Sequence, residues 1–181
     1  QEIAQKVAGL GSHIQVVHFD NNSTYELEPI RVTDSLLTAL SGLPHVCSVS
    51  TFASKPGIIK TDSAFHGVIF KGTDYWDYFE ANLVQGRKPE SANEVLLSEE
   101  LAFMLSLDID DAILCYFIED DLRVRKLYIV GLYNTCMTEM DKLFVLGEIE
   151  VVRRLNNWDV DQVSGIEVIV DDLEHLEETT D

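Results

Sequence analysis

Apolar side chains alternate with polar ones along most of this chain and recur every third or fourth residue only in brief stretches, so the pattern predicts strands broken by short helices. At the start, Ile3, Val7 and Leu10 stand at helical spacing and Gly9 and Gly11 follow as stop signals, which gives a helix over 1–10. Residues 13–19 alternate as a strand, Asp20-Asn21-Asn22-Ser23 reads as a turn, and Pro29 disfavours regular structure after it. Thr33 or Asp34 caps a helix to about Leu40, closed by Gly42 and Pro44, and 46–52 is the next strand. Downstream, 143–146 reads as a strand, 148–155 as a helix with Ile149, Val152 and Leu155 on one side, and 163–170 as a strong strand.

These are two β-α-β units separated by a long insertion. The fold class expected is therefore α+β, a split β-α-β (ferredoxin-like) lobe of residues 1–53 plus 142–181 interrupted by a smaller β-rich lobe of 54–141. The insertion reads as strands over 64–71, 93–97, 112–118 and 122–133, with a short aromatic helix capped by Thr73 or Asp74 that carries Tyr75, Trp76, Tyr78 and Phe79. A second helix begins at Ser98, and Glu119-Asp120-Asp121 makes a tight acidic turn. The tail from 171 to 181 reads as a polar helix, acidic at its N-terminal end. No Gly- or Pro-rich linker parts the lobes, so they are expected to pack together.

Charge narrows the partners. Thirteen basic against 32 acidic residues give a formal net charge of −19, which repels nucleic acid and anionic headgroups alike. No run approaches the roughly 18 apolar residues of a membrane span. The chain opens at Gln1 without Met inside a helix-like pattern, which reads as a piece of something larger. Cys47, Cys115 and Cys136 make no Cys-x-x-Cys pair, and the apolar surroundings of Cys47 and Cys115 suggest buried thiols.

Chemistry is sparse. His18-Phe19-Asp20 is an isolated His-x-Asp, Ser12-His13 and Asp62-Ser63 lack a nucleophile elbow, and neighbouring acids such as Glu99-Glu100, Asp120-Asp121 and Asp171-Asp172 do not converge on one face. The glycines form neither a dinucleotide nor a Walker pattern. Trp76 and its aromatic neighbours read as core. The reading is of a non-enzyme, with no cofactor, metal or catalytic residue.

One stretch carries a family pattern: Gly86-Arg87, Pro89, Glu94-Val95, Leu97-Ser98, Leu101-Ala102, Leu105, Leu107 and Asp111, preceded by Gly72. With weaker echoes at Val130-Gly131, Phe144-Val145 and 166–170, it resembles the extracytoplasmic domain of FtsX-type ABC-transporter permeases, which include the lipoprotein-releasing (Lol-type) permeases and the MacB-type exporters. Where that family usually carries glycines after the helix, Ser106 and Asp110 stand here, and Asp tolerates the left-handed geometry. The resemblance implies a periplasmic domain of an inner-membrane permease, which transmits ATP-driven motion to a lipoprotein, an exported substrate or a periplasmic partner. It also implies a cytoplasmic ATPase subunit, a second permease copy, and helical ends at 1–10 and 173–180 that run toward membrane spans. Lipoprotein-releasing permeases extend a long proline-bearing hook near residues 118–122. Here the connection is only Glu119, Asp120 and Asp121, the residues expected to meet a partner, and it argues against hook-type carrier binding. The alternatives are a stand-alone periplasmic binding or interaction module and an uncharacterised hydrolase.

Overall fold

The computed structural model describes residues 4–7, 13–18, 26–62, 64–118 and 122–171, the first four by backbone alone. In chain order the strands and helices are β1 (Ala4–Val7), β2 (Ile14–Val17), β3 (Ile30–Arg31), α1 (Asp34–Ser41), β4 (Val46–Lys60), β5 (Phe65–Thr73), α2 (Asp77–Ala81), β6 (Leu83–Gly86) and β7 (Glu94–Ser98). They continue through α3 (Glu99–Leu105), β8 (Ala112–Ile118), β9 (Leu122–Tyr133), α4 (Thr138–Asp141), β10 (Phe144–Glu148), α5 (Ile149–Asn156), β11 (Gln162–Val163) and β12 (Gly165–Val170). The architecture is α+β: one large mixed sheet with a few short helices.

The expected helix over 1–10 is corrected. Ala4–Val7 is an edge strand paired antiparallel with β2, because main-chain pairing to a neighbour outweighs a weak helical spacing of three apolar residues. The tail 172–181 lies outside the described residues. The aromatic helix starts later than its expected caps: Thr73 Oγ1 bonds the backbone of Tyr75, while Asp74 accepts from the backbone N–H and hydroxyl of Thr51. The strand expected over 163–170 breaks at Ser164, whose N–H reaches the Phe52 carbonyl.

β4 organises the sheet. It pairs with β5 from Phe52 to Lys60, while its other edge pairs with β12 up to Phe52 and with β8 from Ile58. β4 itself runs unbroken through 53 and 54. The Ser54 N–H donates to Ser164 Oγ on the same edge, so two residues on Pro56 turns its nitrogen toward the stretch between β12 and β8. A missing N–H there costs no ladder bond, which is how proline sits within this strand.

At the far end of β4 six strands close into a ring. β4 pairs with β5, β5 with β10, β10 with β7, β7 with β9, β9 with β8, and β8 with β4. A two-fold relation runs through it. The hairpins β4–β5 and β8–β9 are equivalent, and so are the strand–helix units β7–α3 and β10–α5, each strand pairing in parallel with the other half's hairpin. Inward-facing Val68, Phe70, Val95, Ile113, Phe117 and Ile129 fill the ring. A second core of Trp76, Phe79, Leu96, Tyr133 and Leu146 lies outside it, so Trp76 and Phe79 are structural. Cys115 is buried as expected, and burial pushes its thiol up to about 12; Cys47, by contrast, is exposed, because it occupies an outward position of β4.

Candidate functional site

Three places bring charged or reactive side chains together. The first is the patterned stretch. Gly86 (φ +83°) turns the chain where any Cβ would lie 2.2 Å from the Val130 carbonyl oxygen. Arg87 then grips Glu94 bidentately at 2.9 and 2.7 Å, which holds that carboxyl at about 2. Ser98 Oγ accepts from Leu101 N–H at 3.0 Å and donates to the Asp141 carbonyl, capping α3 and tying it to α4. Leu101, Ala102 and Leu105 face the core, and Ser106 (φ 55°) and Asp110 (φ 72°) take the left-handed conformation expected of them. Every one of these contacts shapes backbone.

The second is an open cleft of about 280 Å³ lined by Glu99, Glu100, Phe103, Asn134, Thr138 and Asp141. Its carboxylates are engaged: Glu99 accepts from Asn134, Asp141 from the Thr135 N–H and hydroxyl, and Glu100 lies 3.8 Å from Lys142 Nζ. The histidines are dispersed. His13 accepts from the Val170 N–H, His45 meets Asp171 at 3.2 Å, and His66 lies 3.3 Å from the Lys142 carbonyl. Of the weighed pairs, Ser12, Phe19, Asp20, Ser63, Asp172 and the whole Glu119-Asp120-Asp121 turn lie outside the described residues. Among the described residues, no group of three or more His, Cys, Asp or Glu is placed to hold a metal ion.

The third was missed from sequence. Lys71 on β5 reaches Glu167 on β12, with both side chains almost wholly buried, and Gln15 on β2 donates to the same carboxylate at 3.0 Å. The ammonium lies 5.3 Å from the centre of the Phe52 ring and 5.9 Å from that of Phe79. Lys55, 1% exposed, binds Glu26 at 3.1 Å. The signal was present, since both lysines stand inside apolar strand patterns, but the partners come from distant parts of the chain. This network spans β2, β12 and β5 over β4, a charged tie across the sheet.

No family model matches the chain, and the search of curated proteins finds no relative by sequence. Solved structures do resemble it. The extracellular domain of the noncanonical ABC-type transporter YknZ from Gram-positive bacteria superposes with a TM-score of 0.57 at 12% identity, over 82% of this chain and 78% of that one. The periplasmic region of MacB from Actinobacillus actinomycetemcomitans gives 0.55 at 17% identity, over 82% and 71%. This chain therefore has the fold of the extracytoplasmic domains of ABC-type transporters.

Proposed function

We propose that the chain is a non-catalytic extracytoplasmic domain of an ABC-transporter permease. In this reading it relays ATP-driven motion from a cytoplasmic ATPase subunit to a lipoprotein, an exported substrate or a partner protein. The observation that carries the reading is the shared fold, covering most of this chain and of its neighbours. It is supported by a patterned stretch whose contacts all serve architecture and by a cleft whose carboxylates are already engaged.

The division into residues 1–53 plus 142–181 and 54–141 belongs to this proposal, with β10 of the first lobe completing the ring of the second, as does the split ferredoxin-like description of the first lobe. β4 then acts as the lever, because one unbroken strand serves β12 at one end and the ring at the other. Glu119, Asp120 and Asp121 are proposed as a partner contact, and a second permease copy as a neighbour.

Fractionation of the native protein from its own cells tests the reading. The expected result is recovery only with detergent and together with an ATP-hydrolysing subunit. Recovery in buffer alone, without ATPase, would favour a stand-alone binding module instead.

A further inference from the structure

The ring strands alternate strictly at the far end of β4, and their outward positions there are apolar. Leu114, Tyr116 and Ile118 of β8 stand across from Lys126, Val124 and Leu122 of β9, and Lys60 of β4 faces both Leu114 and Phe65. Phe65, Ile118 and Leu122 are 72%, 63% and 62% exposed, against full burial of the inward-facing Phe117 beside them. Leu114, Val124 and Tyr128 are exposed to a lesser degree on the same face. Taking roughly 150–250 Å² for a large apolar side chain, the open part is on the order of 500 Å². A monomer's largest patch is roughly that size, and so is the apolar share of a standard interface of about 800 Å² per partner.

Charge decides what fits. Among the described outward positions of β8, β9 and the end of β4, Lys60 and Lys126 carry the charge, while exposed Asp62 follows Lys60 and Glu94, held by Arg87, stands across from Tyr128. The two ammonium groups lie 5.7 Å from the Phe65 ring centre and 5.5 Å from that of Tyr128, and no carboxylate among the described residues forms an ion pair with either.

We propose that this face docks an acidic amphipathic segment of a partner protein, with apolar side chains on the β8–β9 surface and carboxylates on Lys60 and Lys126. This deepens the relay reading by naming the partner's chemistry and rests on that reading for the partner being a protein. The two fail separately, since peptide binding reports nothing about ATP coupling and fractionation reports nothing about this face.

The test uses the 181-residue chain and two labelled peptides with one apolar pattern, carrying glutamates or lysines at the polar positions, followed by fluorescence anisotropy. The acidic peptide is expected to bind, and binding should weaken at least tenfold in Ile118→Ser, in Leu122→Ser and in Lys60→Glu/Lys126→Glu. Far-UV circular dichroism should stay unchanged, because these positions are exposed. The proposal is overturned if the acidic peptide does not bind at millimolar concentration, if the lysine peptide binds as well, or if the substitutions leave binding intact. Self-association by sedimentation that Ile118→Ser abolishes would also overturn it, because a second copy would then own the face.

Discussion

Lys71 Nζ lies 2.5 Å from Glu167 Oε1, a buried ion pair that joins β5 to β12 over the body of β4. Removing one partner takes from the other its buried ion-pair partner, at a cost of about 3–5 kcal/mol. Glu167→Gln and Lys71→Met should each lose stability of that order in urea unfolding. The double variant Lys71→Met/Glu167→Leu should sit closer to the parent than either single. Equal, additive losses would show that the pair is not coupled.

The two-fold relation makes a prediction of its own. Ser98 and Glu148 occupy equivalent N-cap positions, yet only Ser98 caps with its side chain. Burial, with Asp74 and Glu150 nearby, pushes the Glu148 carboxyl above its usual range. Glu148→Ser should therefore supply a cap and remove a disfavoured charge, stabilising the fold by about 1 kcal/mol, or a rise of roughly 2–4 °C in Tm. Ser98→Ala should cost about 1–2 kcal/mol by the same measurement.

Arg87 and Glu94 predict a pH dependence. The Glu94 carboxyl is held at about 2 in the fold against an ordinary 4.5, chiefly by the Arg87 guanidinium. Its contribution is thus present above about pH 4.5 and is lost as pH falls toward 2. The stability gap between the parent and Arg87→Met, read from urea midpoints, should shrink through that window. A gap unchanged from pH 6 to pH 2 would contradict the assignment.

Gly72 is packed where a Cβ would come within 2.5 Å of the Ile149 Cα, at the first residue of α5. Backbone cannot yield as a flexible side chain can, so Gly72→Ala should lower Tm markedly, by more than the loss of the Ser98 cap. Gly67→Ala, which meets nothing within 4 Å, is the control and should stay near the parent.

What could be read in advance follows from range along the chain. The caps at Thr33 and Ser98 and the strands of the β8–β9 hairpin are local chemistry, and they stand where the pattern placed them. The continuation of β4 past Phe52 was hidden because Pro56 and Gly57 look like breakers. Only the gap between β12 and β8 makes the proline harmless there. Ring closure and the Lys71–Glu167 tie depend on pairings between distant residues, so no local pattern announces them. Strand β1 was misread because three apolar residues at helical spacing cannot reveal that β2 offers an edge. The apolar outer face of β8 and β9 was legible only as strands, since sequence alone does not say which side a neighbour covers.

The central proposal is that this domain couples ATP hydrolysis by a permease's ATPase subunit to events outside the membrane. The direct measurement is ATP turnover and export by the intact membrane assembly, reconstituted in vesicles with and without residues 1–181. The account predicts that hydrolysis persists without the domain while export is lost. Export that continues unchanged, or hydrolysis of a substrate by the isolated chain that one side-chain substitution abolishes, would contradict it.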